Sequence, residues 1–247
     1  SELAYYKYAW MLNIFSKEVI TESNCERVRL EGGGTKRNII TVINNSVDTD
    51  RFSRIKTSPI LREEYGLDND TVAFGIIARL SPEKRHEDYI AAAKIVHKQN
   101  PNTKFFIVGD GPTREAIEPL AKGEDYIIFT GMRRDIPNVL RSLDCFVLCS
   151  KVESLPLSIR EAMSMELPVV VTDVGGNREI VAEDVTGYLV NSFAPKQLAN
   201  AMLKIANNKE HREEMGKAAR RYCLDRFDAR DWAIYTEEKF KTILNEK

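Results

Sequence analysis

Between Thr71 and Val190 the sequence alternates short apolar runs with segments in which apolar residues recur every three or four positions. The apolar runs have the length of buried strands, and the other segments have the periodicity of amphipathic helices. This alternation predicts an α/β fold with an open parallel sheet and right-handed crossovers. We predict strands at VAFGIIA, KFFIVG, YIIFTG, CFVLC, PVVVT and GYLV, and helices starting near Glu87, Thr113, Asp135, Pro156, Asn177 and Pro195.

The first 45 residues repeat this alternation on a smaller scale, and two further helical patterns close the chain. Apolar residues recur at helical spacing from Ser1 to Phe15, namely Leu3, Tyr6, Trp10 and Ile14. This stripe predicts a helix that packs on another domain, with a membrane surface or a partner helix as the less favoured contact. A strand in EVITES, a helix from about Asn24 and a strand in IITVIN follow, and the final helices are predicted over 210–224 and 229–245.

The stretch from Cys145 to Val174 contains two apolar runs, CFVLCS and PVVVTDV, separated by a helical pattern, LPLSIREAMSMEL. It predicts one strand–helix–strand unit of a buried parallel sheet. Ligands of such sheets bind beyond the carboxyl ends of the strands, where a helix N-terminus offers free N–H groups to an anion. Pro156 suits the first helical turn, which leaves the amides of Leu157 and Ser158, and the Ser158 hydroxyl, for an oxygen-rich ligand.

Two carboxylates and two cations flank this turn. Glu153 precedes the helix and Glu161 lies about one turn inside it, so that both can face one cavity. Each Glu also has an alternative without a ligand. Glu161 could be favoured only by the dipole at the helix start, and Glu153 could be a solvated loop carboxylate. Arg79 and Lys84 follow the first strand of the sheet, where they would neutralise a diphosphate; ordinary surface cations are the alternative there.

Composition and charge narrow the class of protein. The 247 residues are 43% hydrophobic and 30% charged, as in soluble globular domains, and the formal net charge of -1 argues against nucleic acid as the main partner. No apolar run approaches the roughly 18 residues of a membrane-spanning helix. The four cysteines are scattered without a CxxC pair, which is typical of reduced thiols rather than of disulfides or a metal site. The chain starts at Ser1 without a Met, as a piece of a longer protein would.

Taken together, five segments of the chain resemble the retaining family 4 glycosyltransferases, which have the two-domain GT-B fold. The first is the pattern of Glu153, seven residues and Glu161, followed by EAMSMELPVVVTDVGGNREIV. The others are IIARLSPEKRHEDYIAAAKIV, FFIVGDGPTREAIEPLA, IIFTGMRRDIPNVLRSLDCFVLCS and TGYLVNSFAPKQLANAMLKI, in the family's order and spacing. The resemblance implies a Rossmann-like parallel sheet flanked by helices, the C-terminal domain of such an enzyme, together with the tail end of its N-terminal domain.

The resemblance also implies roles for the candidate residues. Arg79 and Lys84 would clamp the donor diphosphate and stabilise the leaving nucleotide. Glu161 would accept hydrogen bonds from both ribose hydroxyls, and Glu153 would contact the sugar and face the reacting carbon. The loop after the third strand of the sheet would hold the base through its backbone, which leaves UDP and GDP unseparated. Donor contacts are therefore implied for that loop and for the helix start, namely Met132, Arg133, Ser154, Leu155, Leu157 and Ser158.

Several positions depart from the family's pattern. Ala78 stands where a Gly usually precedes the Arg, and Ser154-Leu155 replaces Gly-Phe after Glu153. The second change preserves the nucleotide half of the site and leaves the identity of the sugar open. Met165-Glu166 replaces Cys-Gly or Ala-Gly at the end of the helix, away from the ligand.

Domain boundaries follow from the same resemblance. The family's N-terminal domain ends with a strand and a Pro-Asn-Gly-Val-Asp turn, and this chain has Asn44-Asn45-Ser46-Val47-Asp48. Residues 1–45 would then be the last helices and strands of a truncated acceptor domain, and 46–65 the linker. Residues 66–228 would form the donor nucleotide-sugar-binding domain, and 229–247 a helix that crosses back to the N-terminal domain.

The implied reaction transfers a sugar from a UDP- or GDP-sugar to an acceptor hydroxyl on a glycan or glycolipid, with retention and without a metal or other cofactor. It implies a cytoplasmic protein and leaves open peripheral association with the cytosolic face of a membrane through the N-terminal domain. The alternative is a catalytically incomplete nucleotide-sugar-binding half-module that needs a partner domain or subunit. A glycoside hydrolase would leave Arg79 and Lys84 unexplained, and a sugar-nucleotide epimerase would lack this order of motifs. The three histidines are predicted to be helix-surface residues: His86, His97 and His211.

Overall fold

The computed structural model describes residues 2–245. Within them the chain forms eight strands: β1 (Val19–Thr21), β2 (Ile40–Val42), β3 (Val72–Ile77), β4 (Thr103–Val108), β5 (Ile127–Gly131), β6 (Cys145–Leu148), β7 (Val169–Thr172) and β8 (Gly187–Val190). The same part of the chain forms eleven α-helices: α1 (Glu2–Phe15), α2 (Asn24–Gly32), α3 (Ile60–Glu64), α4 (His86–Gln99), α5 (Arg114–Ile117), α6 (Ile136–Arg141), α7 (Leu157–Ser164), α8 (Asn177–Ile180), α9 (Pro195–Ala206), α10 (Lys209–Phe227) and α11 (Ala229–Asn245).

Six of the strands form one parallel sheet in the order β5-β4-β3-β6-β7-β8. Each lies where the apolar runs predicted a strand, so the predicted α/β fold with a Rossmann-like parallel sheet flanked by helices is confirmed. Because all neighbours are parallel, the carboxyl ends of the strands meet at one edge of the sheet. The order changes direction at β3 and β6, which places a crevice between the loops that follow these two strands.

The two faces of the sheet carry separate hydrophobic clusters, because successive side chains of a strand point to opposite faces. In β3, Phe74 and Ile76 belong to the cluster covered by α4 and α9, whereas Ala73 belongs to the one covered by α7 and α10. Helices on both faces explain why the strands consist of continuous apolar runs rather than alternating ones.

The predicted helix starts after the sheet strands agree with the structure within one residue, but several lengths differ. The pattern from Pro156 to Leu167 gives only eight helical residues, because Pro156 stays extended with ψ at 131° and the helix ends before Glu166, whose φ is 58°. Pro156 thus occupies the N-cap rather than the first helical position. The helix predicted near Thr113 has four residues and passes into a 3-10 turn that contains Pro119.

The N-terminal elements form a separate parallel pair, in which Val19 of β1 lies opposite Ile40 of β2. The chain then crosses to the junction of α10 and α11, where the amide of Val47 donates to Phe227 and the carbonyl of Val47 accepts from Ala229. Ser1, at which the first predicted helix starts, lies outside the described residues, as do the side chains of Leu3 and Tyr6. From residue 2 to residue 245, no helix combines the length and apolar character needed to cross a lipid bilayer.

Candidate functional site

Two loops at the carboxyl edge of the sheet bring Lys84 and Glu153 into contact. Nζ of Lys84 lies 2.6 Å from Oε1 of Glu153, and the hydroxyl of Ser150 donates to the same oxygen at 2.6 Å. The Glu153 side chain is 9% exposed and that of Lys84 is 21% exposed, so the pair is better shielded than an ordinary surface ion pair. Glu153 is therefore not a solvated loop carboxylate.

The contact depends on how the loop after β3 meets the loop after β6. The first loop contains a 3-10 turn over Pro82–Lys84 and then Arg85, whose φ of 53° is left-handed. The amide of Lys151 donates to the carbonyl of Glu83 at 2.9 Å. The thiol of Cys149 donates to the carbonyl of Arg85 at 3.0 Å. These two bonds fix the loops to each other and hold the cation beside the carboxylate.

The helix α7 begins directly after this ion pair. No side chain of the described chain makes a capping bond to its N-terminus, so the first-turn N–H groups point out with no intrahelical acceptor. Leu157 is 44% exposed, but the side chain of Leu155 is only 4% exposed and packs in the core. Leu155 can therefore reach a ligand only through its backbone, and its carbonyl already accepts a hydrogen bond from Arg160 at 3.0 Å.

Glu161 lies in the second turn of α7 and is partly buried. Burial raises the pKa of its carboxyl, and the positive charges of Arg51 and Arg160 oppose this only in part. If the helix dipole were the only reason for this Glu, its carboxylate would be expected in the exposed first turn, where the dipole acts most strongly. A partly desolvated carboxylate can instead accept strong hydrogen bonds from hydroxyl groups of a ligand.

At the same edge of the sheet, a cavity of 690 Å³ opens at the ends of β3, β4 and β5. Arg79, Met132 and Arg133 line it, whereas Lys84, Glu153 and Glu161 lie outside its wall. Its size suits a nucleoside. Its walls are formed by Ile77, Ala78, Arg79, Val108, Gly109, Asp110, Gly111, Met132, Arg133 and Ile136.

Two residues of the predicted base-holding loop have different environments. Met132 is 74% exposed at the rim of the cavity. The guanidinium of Arg133 pairs with Asp135 and Glu64, at 2.8 and 2.9 Å, and both carboxylates raise the pKa of Arg133 above its usual range. Since these ion pairs hold the Arg133 side chain, its backbone is the part left to contact a ligand.

Tight glycine turns shape both sides of the site. A Cβ on Gly109 would lie 2.1 Å from the carbonyl oxygen of Ala78, so the turn after β4 can pass under Arg79 only with glycine there. A Cβ on Gly175, whose φ is 57°, would lie 1.8 Å from the carbonyl oxygen of Glu153. The loop after β7 therefore packs directly on the backbone of Glu153.

Sequence reasoning missed two residues of this region. Ser150 supports Glu153, and Arg160 is fully buried, where it donates to the carbonyls of Asn45 and Leu155. A serine at the end of an apolar run carries no specific signal. Arg160 did carry one, because it occupies an otherwise apolar face of the helical pattern.

The prediction for His86 was wrong, since its side chain is 0% exposed. His86 is the first residue of α4 and lies three, four and seven positions before Tyr89, Ile90 and Ala93, which all pack into the core. That spacing puts it on the buried face. The other two histidines are partly exposed on their helices. Among the described residues, no three His, Cys, Asp or Glu side chains come together as metal ligands would.

Comparison with known proteins gives one family and several relatives. The profile of the family described as Glycosyl transferases group 1 matches residues 57–222. UDP-Gal:alpha-D-GlcNAc-diphosphoundecaprenol alpha-1,3-galactosyltransferase of Escherichia coli is 32% identical over 177 residues, which are 69% of this chain and 46% of that protein. N-acetyl-alpha-D-glucosaminyl L-malate synthase of Bacillus anthracis is 31% identical over 195 residues, 77% of this chain and 50% of that one. The chain thus spans about half the length of these relatives.

Solved structures share the fold. Anabaena Alr3699/HepE in complex with UDP superimposes with a TM-score of 0.90 at 23% identity, covering 98% of this chain and 68% of that one. The C-terminal domain of a glycosyl transferase group 1 family protein from Francisella tularensis superimposes with a TM-score of 0.67 at 24% identity. The match covers 74% of this chain and 99% of that domain. The six-stranded unit therefore corresponds to a domain that has been solved by itself.

Proposed function

This chain belongs to the glycosyl transferases group 1 family, and we propose that it carries the donor-binding half of a retaining glycosyltransferase. The reaction would transfer a sugar from a nucleotide diphosphate sugar to an acceptor hydroxyl on a glycan or glycolipid. The observation that carries the proposal is the contact of Lys84 with Glu153 at the same sheet edge as the cavity that Arg79 lines. In the proposed site, this contact would put a cation for the diphosphate next to a carboxylate for the sugar.

Each residue has a defined part in this proposal. The nucleoside would fill the 690 Å³ cavity, with its base against the backbone of Met132 and Arg133. Glu161 would accept hydrogen bonds from the ribose hydroxyls. The diphosphate would lie between Arg79, Lys84 and the N-terminus of α7, where the N–H groups of Leu157 and Ser158 and the helix dipole attract anions.

The chemistry would proceed without a metal ion, through charge supplied by the protein. Arg79, Lys84 and the helix N-terminus would stabilise the negative charge that grows on the departing phosphate. That phosphate would accept the proton of the attacking hydroxyl on the same face of the sugar, which gives retention. Glu153 would stabilise positive charge at the anomeric carbon, with the backbone of Ser154 and Leu155 against the sugar.

We propose that the nucleotide of the donor is UDP rather than GDP. The name of the E. coli relative specifies UDP-Gal, and that protein is 32% identical over the matched region. Its name also specifies a diphosphoundecaprenol acceptor, which fits a cytoplasmic enzyme that meets a glycolipid at the cytosolic face of a membrane. The departure at Ser154-Leu155 leaves the sugar itself undefined.

The domain boundaries are part of the proposal. Residues 1–45 would complete an acceptor domain, 46–65 would link it to the donor domain of residues 66–228, and residues 229–247 would cross back. The separate β1–β2 pair and the bond between Val47 and Phe227 support this division. A second candidate follows from the half-length match to relatives: the chain would bind the nucleotide sugar and turn over only with a partner that supplies the acceptor side.

Calorimetric titration with UDP and GDP, with a chelator present, tests the donor site. We expect UDP to bind with a micromolar to millimolar Kd, and the Arg79→Ala variant to weaken binding at least about tenfold, since a charge-assisted contact to phosphate is lost. Arg221→Ala is the matched control, because this exposed arginine lies on α10 outside the cavity wall. Failure of both nucleotides to bind at millimolar concentration would overturn the proposal.

A further inference from the structure

The carboxylate of Glu179 contacts the N-terminal segment from the six-stranded unit. Oε2 of Glu179 accepts hydrogen bonds from the backbone N–H and side-chain amide of Asn24, at 2.8 and 3.0 Å. Oε1 of Glu179 accepts from the backbone N–H of Cys25 at 2.8 Å. Asn24 and Cys25 are the first residues of α2, where backbone N–H groups have no intrahelical acceptor. A side chain 155 residues away in the sequence therefore shares the capping of this helix with Ser23.

Glu179 is itself held firmly on the six-stranded unit. Its neighbours in α8, Asn177 and Ile180, are both fully buried. The side-chain amide of Asn177 donates to the carbonyl of Thr172 at the end of β7, at 2.8 Å. The backbone of Glu179 is therefore anchored to the six-stranded unit, and its carboxylate reaches from there to the start of α2.

The same loop supports the backbone of Glu153. The amide of Gly176 donates to the carbonyl of Ser154 at 2.8 Å, and the absence of a Cβ at Gly175 allows direct contact with the carbonyl of Glu153. A Cβ on Gly176 would lie 3.2 Å from the Cβ of Ser23. The loop after β7 is thus sandwiched between the start of α2 and the loop that carries Glu153.

We propose that Glu179 is a positioning residue that locks these three layers together. The three layers are the start of α2, the loop over residues 173–179 and the loop that carries Glu153. By capping α2, the Glu179 carboxylate holds the N-terminal segment against the loop over residues 173–179, which in turn packs on the backbone of Glu153. Loss of the cap would free the start of α2 and loosen the Glu153 loop, although neither of them contains the changed residue. The role of this loop in a donor site rests on the proposed function. The contacts of Glu179 with α2 do not depend on it.

Hydrogen–deuterium exchange of the whole chain tests this coupling. Glu179→Ala should speed exchange at residues 24–27 and also at 153–158 by about tenfold, because the loss of the capping hydrogen bonds opens the helix end. Glu179→Gln keeps one acceptor oxygen and should fall between the wild type and Glu179→Ala. Glu183→Ala is the matched control, since Glu183 accepts from Leu189 within the six-stranded unit and should leave both segments unchanged.

Exchange in β3 separates positioning from a general loss of stability. We expect residues 72–77 to exchange at the wild-type rate in Glu179→Ala, because they lie in the core of the sheet. Faster exchange in β3 together with the other segments would show that Glu179 only stabilises the fold, and unchanged exchange at 24–27 or at 153–158 would show that the layers are uncoupled. Either result overturns the proposal.

A titration with UDP keeps this test independent of the proposed function. Glu179→Ala should bind UDP within about threefold of the wild-type Kd, because the cavity at β3, β4 and β5 is untouched and the loosened loop over residues 153–158 remains closed in most molecules. With UDP bound, the wild type should protect residues 153–158 more than the variant does. If the wild type itself binds no UDP, the proposed function fails, while the exchange rates of the ligand-free proteins still decide the role of Glu179.

Discussion

The ammonium group of Lys84 lies 2.6 Å from the carboxylate of Glu153, although 69 residues separate them in the sequence. In the ligand-free protein each charge neutralises the other at the carboxyl edge of the sheet. A diphosphate that arrives there would share Lys84 with Glu153. The phosphate end and the sugar end of the proposed donor site are therefore linked through one ion pair.

Replacing Lys84 with Ala should separate phosphate recognition from base recognition. We expect UDP to bind about tenfold more weakly, because one charge-assisted contact to phosphate is worth about 1.4 kcal/mol or more. Uridine carries no phosphate and should bind as it does to the wild type. Calorimetric titration with both ligands measures the difference.

Lys98→Ala is the control for the loss of one positive charge, because Lys98 is exposed near the end of α4. It should bind both ligands as the wild type does. Equal weakening of UDP and uridine in Lys84→Ala would contradict the assignment, since it would mean that the loop after β3 had collapsed or that the base lies against Lys84.

Replacing Glu161 with Gln should stabilise the ligand-free protein while it weakens nucleotide binding. Burial raises the pKa of Glu161 above its ordinary value of 4.5, so the folded protein binds this proton more tightly than the unfolded chain does. The ionised carboxylate therefore lowers the free energy of unfolding at neutral pH, and this penalty disappears as the pH falls below 4.5. Urea denaturation at pH 7 and at about pH 4 should show a gain for Glu161→Gln only at pH 7.

The same variant should bind UDP more weakly, because an amide offers the ribose hydroxyls one neutral acceptor in place of an ionised carboxylate. A variant that is less stable than the wild type at both pH values would show that the carboxylate has a structural partner. Unchanged UDP affinity would remove Glu161 from the donor site.

The sequence predicted the sheet better than the contacts within the site. Apolar runs report burial on both faces, which is why all six strands were placed correctly. The pairing of Lys84 with Glu153 needs two loops from different strands to meet, and no local pattern reports such a contact. Glu179 escaped notice for the same reason, since its partners at Asn24 and Cys25 belong to another part of the chain.

Some errors could have been avoided by physical reasoning on the sequence. His86 was assigned to the surface, although its spacing to Tyr89 and Ile90 places it on the apolar face of α4. The end of α7 is a different case. Glu166 occupies a left-handed position, which usually favours glycine, so the residue type itself gives no stop signal and only the resemblance to the family placed the helix end there.

His86 should make the stability of the protein depend on pH below neutrality. Its ring is fully buried, and neither ring nitrogen has a hydrogen-bond partner among the residues of the described chain. Burial, with a smaller effect from the charge of Lys84, lowers the pKa of His86 from 6.5 to about 4. The unfolded chain therefore binds the proton first, and stability present above pH 6.5 is lost as the pH falls towards 4, at up to about 1.4 kcal/mol per pH unit.

Urea denaturation between pH 7 and pH 5 measures this slope. His86→Phe keeps a ring of similar size without a titrating nitrogen, so its stability should fall less steeply over this range, whatever its absolute value at pH 7. His97→Phe retains His86 and should keep the wild-type slope. Equal slopes for His86→Phe and the wild type would assign the pH dependence to other groups.

Arg160 should be the residue whose truncation destabilises this region most. Its guanidinium donates to the carbonyls of Asn45 and Leu155, at 3.1 and 3.0 Å, and lies 5.4 Å from the ring centroid of Phe227. It thereby ties the segment that follows β2, the loop before α7 and the end of α10 together. Burial lowers its pKa to about 10, yet the group remains charged at neutral pH.

Two substitutions separate its charge from its volume. Arg160→Met fills most of the space and removes a desolvated charge, but it leaves two carbonyls without their donor, so we expect a loss of about 1–2 kcal/mol. Arg160→Ala adds a cavity and should cost about 3–5 kcal/mol. Urea denaturation with unchanged m-values measures both, and Arg134→Ala, at an exposed position, should stay within about 0.5 kcal/mol of the wild type. If Arg160→Ala proves no less stable than Arg160→Met, the packing around Phe227 does not depend on this side chain, and the two carbonyl bonds alone explain its burial.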